Sequence, residues 1–422
     1  MSFPRYPAYQ DGGVDWLEQV PKHWEVSPLK RLIEVQNGVD YKHVERDDGY
    51  PVIGSGGAFA RASEYLYDGD SVLFGRKGTI DKPLFVSGRF WTVDTMFWTK
   101  IAPDANPRYV YYSALTIPFA RYSTNTALPS MTKGALHAHV IARPPLVEQA
   151  GISAFLDRET AKIDALVAEQ QRLIELLKDK RQAVISHAVT KGLNPDASMK
   201  PSGVEWLGDV PEQWSVRTIA KVSTKITNGY VGPTRDILVD TGVPYIQATH
   251  IKGGRVNFDD GYFVMSEWSK GHAKSILAEE DVLIVQTGAG TGDVGLVSSA
   301  EVGFNCHALI IVTTNQSALR GAFLSAVLQS AYGQEKLASI RTGAMHPHLN
   351  CGEVKYVEIP LPPLIEQAEI VAHIRDTAGR FDALIAEAGI AIALLQERRS
   401  ALISAAVTGQ IDVRGLAQQA AA

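Results

Sequence analysis

Two stretches of this 422-residue chain occur twice, and that duplication limits the possible folds more than any other feature. Gly13-Val-Asp-Trp-Leu-Glu-Gln-Val-Pro-Lys-His-Trp-Glu-Val26 returns as Gly203-Val-Glu-Trp-Leu-Gly-Asp-Val-Pro-Glu-Gln-Trp-Ser-Val216. Pro144-Pro-Leu-Val-Glu-Gln-Ala150 returns as Pro362-Pro-Leu-Ile-Glu-Gln-Ala368. From there the match runs without a gap to Ile185-Ser-His-Ala-Val-Thr190 against Ile403-Ser-Ala-Ala-Val-Thr408, with roughly half of the positions identical. Each copy reads as an entry segment, a variable block and a long helix.

The blocks at about 27–142 and 217–360 differ in length and mostly in sequence but share a skeleton. Val72-Leu-Phe-Gly-Arg-Lys-Gly78 matches Val282-Leu-Ile-Val-Gln-Thr-Gly288, an apolar strand followed by a glycine turn. Thr124, Pro129, Gly134 and Ile141 recur as Thr342, Pro347, Gly352 and Ile359. Short β-like runs predict strands at Val52-Ile53, Val72–Phe74, Trp91–Trp98, Tyr245-Ile246, Val282–Val285 and Ala308–Thr313. One short helix is expected per block. The first is capped by Asn106 with Pro107 in its first turn and runs through Tyr109–Leu115; the second covers about Ala318–Tyr332. The scaffold is kept while loop chemistry changes, as expected of two modules that recognise two different things.

After Pro145 and Pro363 the period becomes helical. Ile163, Leu166, Gln170, Leu173, Leu177, Lys180 and Val184 alternate at spacings of three and four. So do Phe381, Leu384, Ala388, Ala391, Leu395, Arg398 and Leu402. Bulky Leu173 against small Ala391 suggests that the helices pack on each other, antiparallel under a pseudo-two-fold. The expected fold is α+β: a tandem pseudo-two-fold repeat of two mixed α/β domains separated by two long helices packed as an antiparallel coiled coil.

Composition excludes several classes. An apolar fraction of 45% supports packed cores and argues against disorder. No run approaches the roughly 18 apolar residues of a membrane helix, and Met1–Gln10 lacks an export signal, so the expected location is cytoplasmic, without membrane partners. Only Cys306 and Cys351 are present, which excludes a disulfide framework and a four-cysteine zinc site. A net charge of −5 is unusual for a chain binding nucleic acid unaided.

The repeated segments 203–214 and 360–367, with their first-copy versions 13–24 and 144–149, resemble the specificity subunits of type I restriction-modification systems over nearly the whole chain. The resemblance implies an entry segment at 1–26, a target-recognition domain at 27–142, a central helical spacer at 143–192 and a second entry segment at 193–216. A second target-recognition domain at 217–360, a C-terminal helix at 361–411 and a tail at 412–422 follow. It further implies a non-catalytic subunit that reads a bipartite, asymmetric site on double-stranded DNA. Two modification subunits, carrying S-adenosylmethionine for adenine N6 methylation, would dock on the helices. Two restriction subunits would supply ATP- and Mg-dependent translocation and cleavage, leaving no cofactor in this chain.

The residues themselves offer little catalytic chemistry. Gln286-Thr-Gly-Ala-Gly-Thr-Gly-Asp293 mimics a nucleotide loop, but β-prone Val294–Ser299 follows where a helix would be needed, so a tight hairpin is expected. The methyltransferase signature (Asn or Asp, then Pro-Pro-aromatic) is absent, and no Walker A loop is present. His346, His348 and Cys351 suggest zinc, but the first copy has Leu128, Ser130 and Lys133 there, and no metal is expected. An adenine methyltransferase in its own right and a coiled-coil adaptor that never touches bases are the alternative readings.

DNA contacts are therefore expected on loops of the variable blocks. Arg76 and Lys77 sit on a glycine-flanked turn where arginine can pair bidentately with guanine. Ser55, Gly56 and Gly57 could approach a backbone or groove closely. Asn125, Ser130, Thr132 and Lys133 form a polar stretch whose second-copy partner holds Arg341, His346, His348 and Asn350. In the second block, His250 and Lys252 flank a glycine-rich loop, and Thr287 and Thr291 line the hairpin. The repeated Trp16, Trp24, Trp206 and Trp214 read as packing residues of the entry segments rather than base-stacking platforms.

Overall fold

The computed structural model describes residues 3–122, 129–343 and 347–416. It divides into two compact units, one formed by Met1–Gln171 with Gly389–Ala422 and the other by Arg172–Ala388.

In each unit the two repeated segments find each other. Glu25–Pro28 pairs antiparallel with Val140–Arg143, and Ser215–Thr218 pairs in the same way with Glu358–Leu361. The variable block is thus an insertion whose two ends are clasped together. A buried glutamine then ties the clasp to the long helix. Gln149 Oε1 accepts from the Asn106 N–H at 2.8 Å while its Nε2 donates to the Pro144 carbonyl at 2.9 Å. Gln367 repeats both bonds, with the Arg320 N–H at 2.9 Å and the Pro362 carbonyl at 2.9 Å. Burial of an amide is tolerated where its hydrogen bonds are made, which gives Glu-Gln a structural reason to recur.

Inside the clasp both blocks build the same sheets. In the first unit, Ser71–Gly75 is fully buried between Leu84–Val86 and Met96–Ile101, and Met96–Ile101 also pairs with Ile33–Asn37. In the second, Val282–Val285 is flanked by Val294–Leu296 and Leu309–Thr314, and Leu309–Thr314 also pairs with Ser223–Asn228. A second sheet in each unit contains one parallel pair, Tyr50–Gly54 with Arg89–Thr92 and Val243–Ile246 with Asn305–Cys306. The expected run Trp91–Trp98 is in fact two strands, Arg89–Thr92 and Met96–Ile101, separated by a turn that moves the chain between sheets.

The first short helix forms as read: Asn106 caps Pro107–Ala114, its side chain accepting from the Tyr109 N–H at 3.0 Å. The second is broken into Gly321–Gln329 and Ala331–Ser339, because Ser330 is extended and caps the following helix through its hydroxyl. One helix per block is too few: Lys133–Ala138, Ser266–Gly271 and Cys351–Val354 are helical as well.

The long helices span Leu146–Lys191 and Leu364–Val407. In the first unit, Ile152 and Phe155 share a core with Ala406 and Val407, and Asp164 pairs with Arg399 at 2.8 Å. The first helix advances as the second recedes, so the pairing is antiparallel. In the second unit, Ala188 and Val189 share a core with Ile370, while Arg181 pairs with Asp382 at 3.2 Å. Asp164 and Asp382 are repeat equivalents, as are Arg181 and Arg399, so one ion pair occurs twice.

The seam has a different phase from the one expected. Its inward positions are Ile163, Val167, Gln170, Ile174, Leu177, Arg181 and Val184 in the first helix. The second uses their equivalents Phe381, Ile385, Ala388, Ile392, Leu395, Arg399 and Leu402. Leu166, Leu173, Lys180, Leu384 and Arg398 lie outside it, with Leu166 51%, Leu173 43% and Leu384 48% exposed, so the pairing of Leu173 with Ala391 is withdrawn. Adjacent leucines test the phase. Leu177, 8% exposed, should cost about 2–5 kcal/mol on truncation to alanine. Leu176, 51% exposed, should change stability by no more than about 0.5 kcal/mol, both read by urea unfolding.

Candidate nucleic-acid interface

At the end of the buried strand Ser71–Gly75 the chain makes a turn that is fastened on two sides. The N–H groups of Arg76 and Lys77 donate to the Thr95 carbonyl at 2.8 and 3.3 Å. Those of Gly78 and Met131 donate to the carbonyls of Pro129 at 2.9 Å and Arg76 at 3.0 Å. Lys77 and Ser130 form a β-bridge. The Arg76 guanidinium donates to the Asp94 carbonyl at 3.3 Å, and Lys77 is exposed. Two loops far apart in sequence are thereby joined into one basic and hydroxyl-bearing ridge.

The second unit repeats this junction with other residues. Gln286–Asp293 is the hairpin expected, joining antiparallel Val282–Val285 and Val294–Leu296, so that a strand and not a helix follows the glycine-rich loop directly. Thr287 forms a β-bridge with His348, the repeat equivalent of Ser130, and His348 bridges Thr342 as well. Arg341 Nη2 donates to the Thr291 carbonyl at 2.6 Å while Arg341 remains exposed. Burial raises the pKa of the Asp293 carboxyl in this hairpin, against the opposing pull of Arg341. Thr287, Arg341 and His348 thus share one surface.

Other expected contact residues serve the fold. His250 is 8% exposed; its Nδ1 accepts from the Gln247 N–H at 2.9 Å and its Nε2 lies 3.1 Å from the Asp260 carbonyl. Thr291, 6% exposed, donates to the Gly288 carbonyl at 2.7 Å inside the hairpin. In both, the polar atoms are engaged by the fold itself. Thr132 and Asn350, repeat equivalents, cap short helices by accepting from Ala135 and Glu353 N–H groups at 3.1 and 3.0 Å. Lys133 opens the first of those helices and is half-buried. Lys252 is exposed on an edge strand, Ile251–Lys252, followed by a Gly253-Gly254 turn. Asn125 and His346 lie outside the described residues. Trp206 also departs from expectation: it is 51% exposed with Lys336 Nζ 4.9 Å from its ring centre, whereas Trp24 and Trp214 are buried.

Ser55, Gly56 and Gly57 form the tip of the hairpin Tyr50–Gly54/Gly57–Ala62. Gly54 ends a strand running parallel to Arg89–Thr92, so this tip shares a sheet end with the Asp94–Thr95 turn that holds Arg76. Sequence reading missed the element beside it. Asn37-Gly38 and Asn228-Gly229 occupy one place in the two units. Gly38 donates to the Met96 carbonyl at 3.0 Å and Val39 to that of Thr92 at 2.9 Å. Gly229 and Tyr230 donate to the equivalent carbonyls of Leu309 and Cys306 at 2.8 and 2.9 Å. A Cβ at Gly38 would sit 2.0 Å from the Val93 carbonyl oxygen, so glycine is required there. The repeated Asn-Gly dipeptide was the available signal.

Twin clasped units, alike in frame and unlike in loop chemistry at one matched junction, define a duplicated recognition module. The chain belongs to the family described as type I restriction modification DNA specificity domain, whose model matches residues 21–176 and 211–387. It is 22% identical to the EcoBI specificity subunit of Escherichia coli, over 96% of this chain and 90% of that one. It is 21% identical to the MjaVIII specificity subunit of Methanocaldococcus jannaschii, over 83% and 79%. It shares its fold, at a TM-score of 0.70 and 15% identity, with a chain from a study of complex assembly and conformational transition of the type I R-M system, over 93% of this chain and 99% of that one.

His250→Ala should lower stability by roughly 1–3 kcal/mol through its lost internal bonds and leave the recognised sequence unchanged. A change in sequence preference without loss of stability would return His250 to the interface.

Proposed function

We propose that this chain is the non-catalytic, sequence-reading subunit of a type I restriction-modification complex, each unit reading one half of a bipartite, asymmetric site in double-stranded DNA. The observation that carries the reading is the matched junction. The same two loops meet in both units, but Arg76, Lys77 and Ser130 stand in one where Gln286, Thr287 and His348 stand in the other; Gln286 is buried, so the second unit presents Thr287 and His348. A shared frame with different donors is what reading two different base sequences requires, since base edges differ in their donor and acceptor patterns while phosphates do not.

The partners follow from the repeat. Leu166 and Leu394 in the first unit are 51% and 61% exposed; their equivalents Leu384 and Leu176 in the second are 48% and 51% exposed. Other positions of the helices have drifted, even reversing charge from half-buried Asp157-Arg158 to exposed Arg375-Asp376. Leucines kept in both copies at solvent-facing positions fit two copies of one partner, here two modification subunits, with two restriction subunits completing the complex. In this reading S-adenosylmethionine resides on the modification subunits, ATP and Mg on the restriction subunits, and no cofactor in this chain. The complex acts in the cytoplasm, and the net charge of −5 is offset because the partners supply much of the phosphate contact.

Replacing block 27–142 with that of a relative should change one half-site in the host's methylated-adenine pattern and leave the other intact. A swap that alters both halves would show that the blocks are not independent readers. In the assembled complex, Arg76→Ala should cost about 1–3 kcal/mol of binding and relax choice at one base pair, whereas Lys77→Ala should weaken all sequences alike and flatten the salt dependence. The opposite assignment in a salt-titrated binding assay would exchange their roles.

A further inference from the structure

One exposed aromatic side chain beside the first junction has no part in the readings above. Phe59, 58% exposed, lies two residues behind Gly57 on the returning strand of the Ser55–Gly57 hairpin. Its ring is held in place: the Tyr41 ring meets it edge to face at 5.4 Å, and the Gly54 backbone lies so close that a Cβ there would be 3.2 Å from the Phe59 ring. The tip itself is bare, since Cβ atoms added at Gly56 or Gly57 would meet nothing within 4 Å.

The hairpin strands are the inner pair of a five-stranded sheet, and the Gly54–Gly57 turn extends past the neighbouring strand Arg89–Thr92. A turn this bare can approach the major groove, where thymine alone presents a methyl group and phenylalanine is a known apolar contact for it. Two residues of strand set the ring back by roughly 7 Å from the tip. A recessed ring, pinned on one edge, is poorly placed to wedge between base pairs but well placed to lie against a group projecting into the groove. In the second unit Gln247–His250 is a single helical turn with its histidine buried, and the strand paired antiparallel with Val243–Ile246 carries Tyr262, 51% exposed, opposite Tyr245, so a phenol stands close to the place that the Phe59 ring holds in the first.

Building on the DNA-recognition reading, we propose that Phe59 packs against the C5-methyl of a thymine in the half-site read by the first unit, making it a specificity-determining residue for that half alone.

The test uses the full chain assembled with its modification subunits, on duplexes carrying the cognate site with each thymine replaced in turn by deoxyuridine. Removing the contacted methyl should weaken wild-type binding roughly fourfold at one position of one half-site. With Phe59→Ala the same replacement should have no effect, while Phe59→Leu should keep part of it. Equal sensitivity of wild type and Phe59→Ala at every thymine overturns the proposal. So does a uniform weakening by Phe59→Ala with unstacking reported by 2-aminopurine, which would make the ring a wedge. Failure of the wild-type complex to prefer its site over random duplex overturns the recognition reading itself, a result distinct from either of these.

Discussion

The structure depends on a buried amide used twice. Gln149 and Gln367 are almost fully buried, and each bridges the start of a long helix, the prolines before it and the short helix of its own unit. Removing such a group from water costs free energy unless its bonds are made, so the three elements it joins must arrive together. With the clasp strands closed and the glutamine satisfied, the ends of each variable block are fixed irrespective of what the block contains. That constraint is what lets the loops differ so widely on one frame.

The antiparallel helices extend the same logic. Asp164–Arg399 and Arg181–Asp382 are one ion pair repeated by the duplication, and half-exposed pairs of this kind contribute little stability on their own. Packing at positions such as Leu177 and Leu402 holds the helices, and both ion pairs form in this antiparallel register. Each compact unit is completed by both helices, its core drawing on the start of one and the end of the other.

Much of this was legible from the chain. The duplication, the Asn106-Pro107 helix start and the hairpin at Gln286–Asp293 each carry a local signal that needs no partner to interpret. The seam was not, because spacings of three-four and four-three from Ile163 meet apolar residues equally often, the first through Leu166 and Leu173 and the second through Val167 and Ile174; Arg181 and Arg399 occupy the true seam and disguise it as a polar face. The loops were harder still. His250 and Thr291 look, in sequence, like Thr287 and Lys252: polar residues beside glycines. Only the fold shows which side chains spend their hydrogen bonds inward. Comparing the two copies outward from their matching ends also passed over Asn37-Gly38 and Asn228-Gly229, whose spacing differs between blocks.

The central claim is that two unlike readers sit on one repeated frame. Sequencing methylated adenines at single-molecule level, in a host with and without this chain, tests it most directly. The account predicts one interrupted motif with two different halves, present only when the chain is expressed beside its modification partner. A continuous or palindromic motif, or one that persists without the chain, would contradict it.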